Sequence, residues 1–186
     1  MSTQLRYTTA DLEGLPDIDG VRYEIIDGEL YVSKQPDWHH QLACTRIAIA
    51  LGNWSRQTHS GVALFAPGVI FAEDDNVAPD VVWVSRERLE AITDEQGHLR
   101  AAPELVVEVL SPGSTNERRD RELKLKLYSR QGVHEYWLVD WRTRTVQVYR
   151  RQRTALRLIA TLEGSDAISS PLLPGFSCPL ASLWEP

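Results

Sequence analysis

The chain has 186 residues, 42% of them hydrophobic and 25% charged, the balance of one soluble globular domain with a full core rather than of a disordered or fibrous chain. No apolar run approaches the roughly 18 residues of a transmembrane helix, and the opening MSTQLRYTTADLEG lacks a signal-peptide layout, so the expected location is cytoplasmic with no membrane partner. A formal charge of −6 argues against a broad nucleic-acid-binding surface and leaves room for a local basic patch.

In chain order, Thr8 to Leu12 reads as a short capped helix that ends at the glycines and proline around Gly14, Pro16 and Gly20. Residues 21–32 form two strand-like runs joined at Asp27-Gly28, a hairpin signal. From Trp38 to about Gln57, Leu42, Ile47, Ala50, Leu51 and Trp54 recur at helical spacing. Strands are expected at Ala63 to Phe71 and Val81 to Val84, with a turn at Glu73-Asp74-Asp75-Asn76 between them. The run LVVEVL (105–110) is a buried strand ended by Ser111-Pro112-Gly113. Ser114 and Glu117 then match a capping box opening a charged helix to about Arg130. Strands follow at Glu135 to Val139, Thr145 to Tyr149, and Leu156 to Leu162, before a loose proline-containing end. This mixture gives an α/β or α+β class with a central sheet covered by helices. Cys44 and Cys178 fit no metal spacing and read as unlinked thiols.

Three acids sit in strand-like contexts: Glu24 in RYEIID, Asp80 in APDVVWV and Glu108 in LVVEVL. Glu108 stands out, because a charge among aliphatic neighbours costs several kcal/mol unless it is paired, neutral or facing a cation. Acids on two adjacent strands are the ligand set that Mg²⁺ or Mn²⁺ takes in phosphodiester hydrolysis. A lysine on the same strand face would stand two residues after the acid, and that place holds Leu110. His39 and His40 are adjacent at a helix start and point apart, so they do not make a metal pair. The basic residues Arg118, Arg119, Arg121, Lys124, Lys126 and Arg130 suit either a phosphate-facing row or a solvated helix face.

Pro79-Asp80 with Glu108-Val109 closing an aliphatic strand resembles the PD-(D/E)XK nuclease superfamily. RYEIIDGELYV (22–32), His40-Gln41, APGVIF (66–71), APDVVWVS (78–85), PELVVEVLSPGS (103–114), Asp120-x-x-x-Lys124-x-x-x-Tyr128 and GVHEYWLVD (132–140) together resemble the bacterial Uma family of restriction-endonuclease-like proteins, over residues 8–150. The resemblance implies a restriction-endonuclease-like fold, a central mixed β-sheet flanked by helices, in one domain over 1–186 with a C-terminal extension at 151–186. It further implies a Mg²⁺- or Mn²⁺-dependent endonuclease acting on DNA. Asp80 and Glu108 would bind the metal with the Val109 carbonyl, Lys124 would position the water, and Glu24 would assist.

Periodicity alone does not choose Lys124 over Lys126, since both flank a Leu123–Leu127 ridge at equal angles. The choice of Lys124 rests on the resemblance. His40, Tyr128 and Arg119 are the expected substrate contacts. Cleavage of both strands would favour a homodimer, to which apolar residues of the C-terminal tail could contribute an interface. Two rivals use the same residues: an inactive nuclease-fold module for binding or assembly, and a hydrolase of small phosphodiesters.

Overall fold

A computed structural model describes residues 5–185. The short helix α1 (Thr9–Glu13) is capped by Thr8, whose amide and hydroxyl both meet the Asp11 carboxylate. Strands β1 (Arg22–Ile26) and β2 (Glu29–Ser33) form the expected hairpin, and Asp27 and Gly28 take positive φ values of 51° and 76°, as its tight turn requires. With β4 (Val69–Ala72) and β5 (Asp75–Val77) the hairpin makes a sheet ordered β2-β1-β5-β4.

The main sheet contains β3 (Gly61–Phe65), β6 (Val81–Ser85), β7 (Leu105–Val109), β8 (Glu135–Asp140), β9 (Thr145–Gln152) and β10 (Ala155–Leu162), ordered β10-β9-β8-β7-β6-β3. It is mixed: β7 and β8 run parallel and the other neighbours antiparallel. A parallel pair needs a crossover. Here α4 (Ser114–Arg118), a π-helical turn (Arg119–Lys124) and α5 (Leu125–Gln131) supply it.

The long helix α2 (Trp38–Thr58) lays Ala43, Cys44, Ile47 and Leu51 on one face of this sheet, against Val81, Leu105, Val107 and Val109. The other face packs Val82, Val106 and Leu110 against Leu127 and Tyr128 of the crossover. Because strand side chains alternate, the residue between Val107 and Val109 must point toward the crossover. That residue is Glu108.

Four expectations change. The strand expected from Ala63 to Phe71 is two strands in different sheets, broken where Ala66 turns to a φ of 46° ahead of Pro67 and Gly68. Part of the expected 73–76 turn is strand β5, and helix α3 (Arg86–Ile92), capped by Ser85, was not anticipated. The crossover helix starts with Gly113 at its N-cap and is interrupted by the π turn. The expected capping box rests on the Ser114 side chain, which lies outside the described residues. Finally, the C-terminal tail is not loose: β11 (Ala167–Ser170), β12 (Leu173–Pro179) and α6 (Ala181–Trp184) bury Ile168, Leu173, Phe176, Leu180 and Leu183 in the α2-side core. Burying each large apolar side chain stabilises the fold by roughly 1.5–3 kcal/mol, so these five residues are occupied within the chain, while Leu158 and Ile159 of β10 stay exposed. Cys44 and Cys178 are free and buried. Among the described residues no helix is long and apolar enough to cross a membrane.

Candidate active site

In the β6–β7 ladder Val81 stands opposite Val107, so Asp80 and Glu108 follow as neighbours at the same end of the sheet. They open onto a cleft of about 250 Å³ lined also by Arg22, His40, Val109, Arg119 and Lys124. Asp80 is held by three donors. Its Oδ2 accepts the Val109 N–H at 2.9 Å and faces His40 Nε2 at 3.3 Å, and its Oδ1 accepts from Arg22 at 3.3 Å. Burial works to raise the Asp80 pKa, but His40, then Lys124 and Arg22, outweigh it and hold the carboxyl at about 2.

Glu108 is 2% exposed and takes two donors on Oε1: Lys124 Nζ at 2.9 Å and the Tyr128 hydroxyl at 2.7 Å. The same Nζ lies 2.8 Å from Glu24 Oε1, whose other donor is the Ala78 amide, and 3.9 Å from Asp120. Arg119 adds a second cation, 2.9 Å from Asp120 and 3.6 Å from Glu24. The cluster therefore gathers four buried carboxylates, Glu24, Asp80, Glu108 and Asp120, around Lys124 and Arg119.

These groups respond unequally. Burial, together with the charges of Asp80, Asp120 and Glu24, pushes Glu108 up to about 8 even though Lys124 pulls it down. Glu24 goes the other way, because Lys124 and Arg119 outweigh its burial. Lys124 itself is pushed up despite burial, by Glu108 and Glu24 first. A carboxylate raised so far beside others that stay ionised marks a place where one more positive charge would be well accommodated.

The structure brings Asp80, Glu108, Val109, Lys124 and His40 to one cleft, with Glu24 buried behind Lys124. Lys124 is 1% exposed while Lys126 faces solvent, which resolves the choice that periodicity left open in favour of Lys124 as the residue at the carboxylates. One expectation is corrected. Tyr128 is fully buried behind Glu108 and is not on the cleft wall, so it braces a carboxylate and does not contact substrate. The six basic residues do not act as one row: Arg119 and Lys124 point into the carboxylate cluster, while Arg118 pairs with Glu122 at the surface and Lys126 lies on the solvated face.

The two histidines diverge as expected, because Asp37 caps α2 through the His39 and His40 amides and fixes its first turn. His39 stacks on Trp38 and Trp141, and His40 turns inward. Sequence reasoning missed Arg22, although its signal was present: it stands two residues before Glu24 and so shares that residue's strand face. It missed the burial of Asp120 as well, for reasons that lie in the π turn.

Residues 9–181 match the Uma2 family, described as "Putative restriction endonuclease". Among solved structures the chain is similar to a crystal structure described as "a putative nuclease belonging to DUF820" from Anabaena variabilis, with a TM-score of 0.74 and 19% identity over 95% of this chain and 97% of that one. A further similarity, to the type IIG restriction endonuclease BpuSI, has a TM-score of 0.43 at 15% identity and covers 78% of this chain and 15% of that one. Among curated proteins, none matches. The architecture, a central mixed sheet flanked by helices, is the restriction-endonuclease-like α+β fold expected from the sequence.

Proposed function

The chain belongs to the Uma2 family, and from that premise we propose that it hydrolyses phosphodiester bonds of DNA as a Mg²⁺- or Mn²⁺-dependent endonuclease. The observation that carries this reading is the convergence of Asp80, Glu108 and Lys124 on one cleft, with Glu24 behind the lysine.

The donor set fits a divalent cation. Asp80 and Glu108 offer hard carboxylate oxygens from adjacent strands. The two donors on Glu108 converge on Oε1, which leaves Oε2 toward a cation. Asp80 and Glu108 would hold the ion, with the Val109 carbonyl as a third ligand. When bound, such an ion polarises the phosphoryl group and acidifies a water.

The protein's own residues do the rest. Lys124 spends two of its three N–H donors on Glu24 and Glu108 and keeps one for the attacking water or a phosphoryl oxygen. Glu24 and Asp120 fix the ammonium in place, so little reorganisation is needed as charge develops on the phosphoryl oxygens. Arg22, partly exposed at the cleft, pairs with Asp80 and would turn to a phosphate oxygen. In this reading residues 1–186 form one nuclease-like domain, the tail completing its core, and a homodimer carries one site to each strand.

The acidic charge of −6 favours a second reading, a small phosphodiester as substrate. One experiment separates the two. Cleavage of plasmid, linear duplex, single-stranded DNA and a cyclic dinucleotide is measured with Mn²⁺ and with EDTA, beside binding to duplex at increasing salt. Mn²⁺-dependent cleavage of polymer, with affinity falling steeply as salt rises, supports the proposal. Cleavage confined to the small substrate, with a flat salt response, supports the second reading, and no hydrolysis of any of them overturns both.

A further inference from the structure

His40 brings an imidazole to the cleft among these carboxylates, and its surroundings set it apart from a histidine that merely fills the core. Capping by Asp37 fixes the first turn of α2, which sends His40 inward to 4% exposure while its neighbour His39 stacks outside. The two ring nitrogens then meet different partners. Nδ1 lies 3.5 Å from the Cys44 sulfur one helical turn on. Nε2 lies 3.3 Å from Asp80 Oδ2.

We propose that His40 Nε2 is a ligand of the same divalent cation as Asp80, with Cys44 positioning the ring, so that the site prefers Mn²⁺, Co²⁺ or another transition metal to Mg²⁺. The inference rests on the metal-dependent reading of the cleft. Three features carry it. Two ligands each about 2.1 Å from one ion, at angles between a right angle and the tetrahedral angle, lie roughly 3.0–3.4 Å apart, and the Nε2–Oδ2 separation is 3.3 Å. Nε2 is turned to Asp80, one of the groups already assigned to the ion. And Nδ1 is occupied by a neighbouring side chain, as in ligating histidines whose second nitrogen fixes the tautomer and the ring plane.

The donor atoms of His40, Cys44 and Asp80 all lie within 4.8 Å of one another. Cys44 Sγ sits against Nδ1 at 3.5 Å, so an ion between Nε2 and Oδ2 leaves the sulfur to orient the imidazole. An imidazole in place of one oxygen is what shifts preference, since Mg²⁺ favours all-oxygen shells while Mn²⁺, Co²⁺ and Zn²⁺ accept nitrogen.

The test reads metal binding and needs no turnover. The wild-type chain and the His40→Gln, His40→Ala and Asp80→Ala variants, checked for unchanged metal-free melting, are titrated calorimetrically with MnCl₂, CoCl₂ and MgCl₂. The visible absorption of the Co²⁺ complex is recorded for each. Wild type is expected to bind Mn²⁺ and Co²⁺ more tightly than Mg²⁺. Both His40 variants should lose about tenfold or more of that Mn²⁺ affinity with little change toward Mg²⁺, and their Co²⁺ absorption should shift. Unchanged Mn²⁺ affinity in the His40 variants, with loss in Asp80→Ala, overturns this inference and leaves the metal-dependent reading standing. Unchanged affinity in all three variants overturns that reading with it. If the variants fail to fold, Zn²⁺ titration of the wild type is followed by nitrogen NMR of its histidines. A shift at His40 Nε2 matching that of a ligated imidazole supports ligation, and an unmoved resonance at saturation overturns it.

Discussion

Lys124 and Glu108 are 16 residues apart in sequence and meet at 2.9 Å, tying the crossover to the centre of the sheet through a buried contact. Such a pair contributes little net stability when formed, yet breaking it strands a buried charge. Lys124→Met should therefore destabilise the fold by about 3–5 kcal/mol at neutral pH, because Glu24, Glu108 and Asp120 lose their shared cation. Solvent-exposed Lys126→Ala should stay within about 0.5 kcal/mol of wild type. Urea unfolding monitored by tryptophan fluorescence measures both.

The pH dependence follows from Glu108. Its carboxyl is raised from an ordinary 4.5 to about 8, so between those values the folded chain binds a proton that the unfolded chain has released. Stability from this group is complete below about pH 4.5 and declines as pH rises through 8, by an amount on the order of a few kcal/mol. Asp80, held at about 2, acts oppositely and loses its contribution only as pH falls through the acidic range below 4. Metal-free protein should thus melt at a lower temperature at pH 8.5 than at pH 6. Added Mn²⁺ should stabilise it more at pH 8.5, where binding no longer has to displace the Glu108 proton. Differential scanning calorimetry with EDTA or Mn²⁺ across this range checks the sign.

Much of this was legible in the chain. A carboxylate inside LVVEVL had to be paired, neutral or facing a cation, and Glu108 is a buried group with two donors and a raised pKa. The hairpin at Asp27-Gly28 followed from the positive φ that its turn demands. What periodicity could not deliver was the lysine. A helical wheel advances about 100° per residue, so Asp120, Lys124 and Tyr128 drift around an α-helix. The π turn at Arg119–Lys124 advances less per residue and offsets that drift, so all three side chains face the sheet. Nothing in the composition of RDRELK announces such a turn. The burial of the tail was hidden for another reason: Ile168, Leu173 and Phe176 are spaced by short irregular strands whose partner surface is α2, far away in sequence.

That tail is fastened by a buried carboxylate outside the cleft. Glu135 is fully buried and accepts from Trp137 Nε1 at 2.7 Å, Arg150 Nε at 2.9 Å and Ser170 Oγ at 3.0 Å, joining β8, β9 and β11. Glu135→Ala should cost about 3–5 kcal/mol, since it leaves Arg150 unpaired and two buried donors without an acceptor. Hydrogen exchange should show the loss of protection concentrated in residues 167–179. Uniform loss across the main sheet would contradict the role of Glu135 as a local fastener.

The central claim, that Asp80 and Glu108 form the catalytic metal site of a nuclease, is tested most directly by the cleavage rate of supercoiled plasmid in Mn²⁺, with wild-type and Asp80→Asn proteins of equal foldedness side by side. Wild type should nick the plasmid and lose all activity in EDTA, while Asp80→Asn should be slower by roughly 100-fold or more, the scale expected when a group stabilising transition-state charge is removed. Equal rates for the two proteins would contradict the account.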